Sequence, residues 1–129
     1  MNRLLLDTCT FIWLVSQPKQ LSKAAIQAID NTAHEIIFSD VSALEISLKF
    51  PREKIMLPLP PREWIEEQLA IWKPAELPLN RQTIYRASEL PNHHTDPFDR
   101  LLIAAALVNH LTIVTPDPEI RRYPVPTIW

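Results

Sequence analysis

Short apolar runs alternate with longer amphipathic ones along this chain. Residues 3–7 carry Leu4, Leu5 and Leu6 in unbroken succession and end on Asp7, the pattern of a strand covered on both faces that emerges at its last residue. Residues 8–15 then place Phe11, Ile12, Leu14 and Val15 at helical spacing until Pro18 closes the segment. Ser22 stands where a second helix needs a cap, and Ala25, Ile26, Ile29 and Ala33 share one of its faces. Residues 36–38 predict a second strand. Residues 39–50 predict a helix that turns Val41, Leu44 and Leu48 inward.

Four prolines and the basic residues Arg52, Lys54 and Arg62 then interrupt the pattern between residues 51 and 62. Pro61 suits the first position of a helix through residue 72, with Trp64, Ile65, Leu69 and Trp72 on its apolar side. Residues 75–79 predict a short third strand, Asn80 caps a helix running to Leu90, and Pro91 stops it. After a loop over residues 92–95, Asp96 and Pro97 form a cap and first-turn pair for an apolar helix through Asn109. A β-branched strand over residues 111–115 follows, and residues 125–129 predict a last edge strand. This alternation predicts an α/β fold: a three-layer α/β/α sandwich on a central, mainly parallel sheet, as one domain over residues 1–129.

Composition narrows the chemistry. A net charge of −2 and a pI near 6.1 give no global attraction to nucleic acid, so a polyanion would have to be met locally, by metal or by clustered lysines and arginines. Glycine is absent, which excludes the Gly-rich dinucleotide fingerprint and the phosphate-binding P-loop. Cys9 is the only cysteine, so no internal disulfide forms and a cytoplasmic location is expected. No apolar run is long enough to span a bilayer, and the leucines of the N-terminus meet Asp7 too soon for a secretory leader.

Four acids share a positional logic. Asp7 ends the first strand, Glu45 lies on the helix after the second, Asp99 sits in the first turn of the helix before the fourth, and Asp117 follows that strand. In a parallel sheet the strand C-termini and the N-termini of the following helices share one edge, where ligands bind. Carboxylates gathered there repel unless a cation neutralises them, and all-oxygen ligation favours Mg²⁺, with Mn²⁺ as the second choice. Each acid also has a local reading. Glu45 completes a Ser42-x-x-Glu45 capping box, Asp96 caps its helix, Asp99 complements the helix dipole, and Asp117 lies between two turn prolines. Asp7 alone has none, since it ends an apolar strand at a desolvation cost. Thr8 is read as a helix cap or a contact to metal-bound water, and Arg100 as a partner for an acid or a phosphate. His93 and His94 read as loop residues, either approaching the site or, more commonly for loop histidines, solvated; His110 reads as a left-handed helix terminus, Cys9 as a small core residue, and Trp64 and Trp72 as core or interface anchors.

Taken together, LLLDTCTFIWL, FSDVSALEISLK, HHTDPFDRLLIAAALVNHLTIVTPDPEI and the terminal IW resemble the PIN-domain ribonucleases of the VapC toxin type. The four blocks occur in order over nearly the whole chain. The resemblance implies that Asp7, Glu45, Asp99 and Asp117 occupy the acidic metal-binding and catalytic positions, supported by Thr8 and Asp96. It also implies RNA as substrate, Mg²⁺ or Mn²⁺ as cofactor, a homodimer, and an inhibiting antitoxin as partner. Asn109-His110 stands where relatives usually have glycine, and Leu44 where many have tryptophan. The implied chemistry is metal-assisted hydrolysis of a phosphodiester, with Arg52, Lys54 and Arg100 as candidates for steering the RNA backbone. A dehalogenase-type phosphatase would need a second acid where Cys9 stands. The alternative from another class is a PIN-like module that binds RNA or protein with little or no nuclease activity.

Overall fold

The computed structural model describes residues 2–129. Strands β1 (Arg3–Leu6), β2 (Glu35–Ser39), β3 (Ala75–Leu77), β4 (Thr112–Val114) and β5 (Thr127–Ile128) form one sheet in the order β3-β2-β1-β4-β5. Every pairing is parallel, so the sheet expected to be mainly parallel is parallel throughout. β1 lies at the centre, with Leu4 opposite Ile36 on one side and Thr112 on the other. That position explains its composition, because a central strand buries both faces.

Successive side chains of each strand divide between two cores. Leu4, Leu6, Phe38 and Val114 pack with Phe11 of α1 (Thr8–Ser16), Ala25 of α2 (Lys23–Asp30) and Trp64 of α4 (Pro61–Trp72). Leu5, Ile37 and Ile113 pack on the other face with Ala87 of α5 (Arg81–Glu89) and with Leu102, Ile103 and Ala106 of α6 (Pro97–Asn109). The result is the expected three layers. Each such fully buried aliphatic side chain contributes about 1.5–3 kcal/mol. Among the described residues no helix is long and apolar enough to cross a membrane.

The helix ends follow local chemistry. Ser22, Asn80 and Asp96 accept hydrogen bonds from Ala25, Thr83 and Phe98 backbone N–H groups, as their positions in the sequence predict. His110 closes α6 in the left-handed region (φ 56°, ψ 52°), and Lys73 does the same for α4. Several expectations change. α2 ends at Asp30, so Ala33 lies outside it, and the α2 face turns Ile26 partly to solvent. α3 (Asp40–Lys49) is rotated from the expected setting: Leu44 and Leu48 are exposed, and Ser42, Glu45 and Ile46 join Val41 inside. Trp64 is buried but Trp72 is not. The third, fourth and fifth strands are shorter than predicted, and two 3₁₀ turns, Pro18–Gln20 and Ile120–Arg122, occupy stretches to which the pattern assigned no element.

α6 leads straight into β4, so its C-terminus lies at the N-terminal edge of the sheet. Arg3, at the start of β1, accordingly donates to the Asn109 carbonyl at 3.1 Å. The first turn of α6 is thereby returned to the opposite edge, beside the ends of β1 and β4.

Candidate metal centre

Asp7 stands where β1 becomes α1. Its Oδ1 accepts the Thr10 backbone N–H at 2.9 Å, so it caps α1, a local role the sequence reading did not give it. The cap also displaces Thr8 from that role, and the Thr8 hydroxyl instead donates to Ser42 Oγ at 2.9 Å. Asp7 Oδ2 accepts the buried Thr115 hydroxyl at 2.5 Å, and Thr115 Oγ1 in turn accepts the Asp117 N–H at 3.1 Å. Only 4% of Asp7 is exposed. This burial raises its pKa above the ordinary carboxylate value, although the Thr10 and Thr115 hydrogen bonds pull it back.

Glu45 sits in the middle of α3, whose cap is Ser39, so the Ser42–Glu45 capping box does not form. It is 7% exposed, its Oε2 is ion-paired with Lys49 Nζ, and its Oε1 is buried without a hydrogen-bond partner among the described residues. Such an orphaned oxygen costs about 1–3 kcal/mol. Lys49 Nζ also lies 3.9 Å from Asp96 Oδ2 and 5.3 Å from the centre of the Phe98 ring. Partial burial works against the charge on Lys49, but the Glu45 hydrogen bond and the charges of Glu45, Asp96 and Asp99 outweigh it and raise its pKa.

Asp99 and Asp117 meet around His94. The imidazole Nε2 is 2.8 Å from Asp99 Oδ2 and 3.6 Å from Asp117 Oδ2, while Asp117 Oδ1 caps the following turn by accepting the Glu119 N–H at 2.9 Å. Ligand atoms of His94, Asp99 and Asp117 all lie within 4.8 Å of one another. Burial and the charge of Asp96 push the Asp99 pKa up to about 7; Glu45 and Asp117 add to this, against the pull of the His94 hydrogen bond. Asp7 reaches this group through Thr115, and Glu45 reaches it through Lys49 and Asp96. The four acids expected from sequence thus share one sheet edge, but only two of them touch a common side chain.

Residues 4–126 match the family described as PIN domain. The chain belongs to the PIN-domain family. This PIN domain is 33% identical over 133 residues to Ribonuclease VapC22 of Mycobacterium tuberculosis, with 100% of each chain covered. Among solved structures it is similar to the DNA-bound VapBC of Salmonella typhimurium, with a TM-score of 0.71 and 18% identity over 98% of this chain and 97% of that one. It is also similar to VapBC2 of Rickettsia felis bound to a promoter DNA fragment, with a TM-score of 0.68 and 14% identity over 97% and 96%. At those identities the structural likeness speaks for the fold.

The remaining candidate residues of the PIN domain are redistributed. Arg100 holds neither an acid nor an open position for phosphate. Its Nη1 donates to the carbonyls of Pro91 and His94 and to the Tyr123 hydroxyl, and its Nη2 to the carbonyls of Ala87 and Leu90, at 2.9–3.3 Å. Asp96 caps α6 through Oδ1 as expected and turns Oδ2 toward Lys49. Cys9 lies outside the core. With Thr8, Glu45, Lys49, Lys54 and Asp96 it lines a cleft of about 400 Å³, and burial together with the Asp7 charge raises its thiol pKa. Arg52 is exposed. Sequence reasoning missed Lys49 and Thr115, and ranked an approach of His94 to the site below a solvated loop position. An i, i+4 pairing of Lys49 with Glu45 was there to be read, but the roles of His94 and Thr115 depend on how loops meet across the sheet edge.

Proposed function

We propose that this PIN domain is a divalent-metal-dependent ribonuclease that hydrolyses RNA phosphodiester bonds and serves as the toxin of a toxin–antitoxin pair. The observation that carries the reading is the gathering of Asp7, Glu45, Asp99 and Asp117 at one sheet edge, with a buried Glu45 oxygen that has no partner among the described residues and a strongly perturbed Asp99. A full-length relative named as a ribonuclease supports the activity, and similar structures solved as VapBC assemblies support an antitoxin partner. Large apolar side chains left exposed, among them Leu48, Ile71 and Trp72, support a homodimer.

The donor set fits a hard divalent cation: carboxylate oxygens dominate, and Glu45 Oε1 has no hydrogen-bond partner among the described residues. Asp7, Glu45, Asp99 and Asp117 would hold it, with Mg²⁺ as the first choice and Mn²⁺ as the second. Once bound, such an ion supplies an acidified water and charge stabilisation at the phosphoryl oxygens. Thr10 and Thr115 hold the Asp7 carboxylate in one orientation. Asp99, with a pKa of about 7, releases its proton readily when positive charge arrives. Lys49 and Lys54 line the cleft and attract the RNA backbone, a steering task that Arg100 is not free to share.

The test is cleavage of a mixed RNA substrate by wild type, Asp7→Asn and Asp99→Asn, each checked for folding by circular dichroism. Both variants are expected to lose at least about a hundredfold in rate. Full metal-dependent cleavage by either variant contradicts the assignment.

A further inference from the structure

We infer that His94 is a nitrogen ligand of the metal centre and that the loop before α6 is built to present it. The inference rests on the metal-dependent reading above and adds a donor outside the set of acids. Its Nε2 stands 2.8 Å and 3.6 Å from one oxygen each of Asp99 and Asp117. Adjacent ligands of an octahedral ion with bonds of about 2.1 Å are about 3 Å apart, close to both His94 distances, and ligand atoms of all three residues lie within 4.8 Å of one another. The side chains of His94 and Asp99 are 17% and 18% exposed, which separates them from a freely solvated pair.

The second observation is how the backbone of His94 is held. Its N–H donates to the Tyr123 hydroxyl at 2.9 Å, and its carbonyl accepts from Arg100 Nη1 at 3.2 Å. The Tyr123 hydroxyl donates to the Pro91 carbonyl at 2.8 Å and accepts from Arg100 at 3.3 Å, so both ends of the turn are tied to one buried tyrosine and one arginine. Neighbouring His93 takes no part in this network. It is exposed and meets the Tyr123 ring edge-on, with centroids 5.2 Å apart. Fixing one loop histidine from both sides of its peptide is what a pre-positioned ligand requires. A nitrogen donor also shifts the centre from Mg²⁺ toward Mn²⁺ and later first-row ions, because imidazole suits transition metals better than it suits Mg²⁺.

Pulsed electron paramagnetic resonance of the full chain loaded with Mn²⁺ tests this without reference to activity. Wild type and His93→Asn are expected to show imidazole nitrogen hyperfine coupling, and His94→Asn to lose it. Calorimetric titration is expected to show His94→Asn weakening Mn²⁺ by about tenfold or more, with a smaller change for Mg²⁺. Bound Mn²⁺ without nitrogen coupling in wild type, or coupling that survives in His94→Asn, overturns the role of His94 and leaves the acidic centre standing. Absence of any Mn²⁺ uptake by wild type removes the metal-dependent reading and this inference together.

Discussion

Asp99 governs the charge balance of the site. Its folded-state pKa of about 7 lies above the ordinary value of 3.8, because of burial and the nearby charges of Asp96, Glu45 and Asp117, partly offset by His94. Between those two values the folded chain binds more protons than the unfolded one, so this group destabilises the fold progressively as pH rises from about 4 to 7, and to a constant extent above. In chelator, Asp99→Asn is therefore expected to be more stable than wild type at pH 8, on the order of 2 kcal/mol after allowance for solvent screening, with the gap closing toward pH 4. Urea midpoints across pH measure it, and a gap that widens toward acid contradicts it. At this scale the sequence was partly legible. Apolar runs ending in acid marked Asp7 and Asp117, whereas Arg100 is taken up by backbone carbonyls and His94 stands between Asp99 and Asp117. An arginine beside an acid looks like its partner until the carbonyls at the end of α5 prove to be closer.

The start of α6 is where several elements are tied together. Arg100 joins the last turn of α5, the 91–94 loop and Tyr123, accepting none of the solvent-exposed tasks open to a surface arginine. Arg100→Ala is expected to cost about 3 kcal/mol by leaving these acceptors short of donors, read as a shift in denaturant midpoint. A change below about 0.5 kcal/mol would mean that the network is ornamental. At the other end of α6, His110 adopts φ 56° without being glycine. His110→Gly is expected to raise stability by about 0.5–1 kcal/mol, since only the residue with a Cβ is strained there. Element ends were the most readable feature of the chain, because Ser22, Asn80, Asp96 and His110 act through their nearest neighbours. The rotation of α3 was not readable. Leu44 and Leu48 look like an inward stripe, but Ser42 faces inward to meet Thr8 of α1 and Glu45 faces the site with it, contacts that belong to the site rather than to the apolar core.

For the whole molecule, alternating strands and helices sufficed to predict the layers, and the order of strands in the sheet did not follow from the pattern. Placing β1 between β2 and β4 brings residues 7 and 115 within one hydrogen bond, although 108 positions separate them in sequence. The site is a product of that order. As a toxin, the chain is expected to slow growth of a host that expresses it alone, and co-expression of its antitoxin to restore growth; equal growth with and without the chain in several hosts would contradict the toxin role. The most direct measurement is RNA cleavage by purified wild type before and after removal of divalent ions. Cleavage is expected to fall to background in chelator and to return on addition of Mn²⁺ or Mg²⁺. Undiminished cleavage in chelator would contradict a metal centre at this sheet edge.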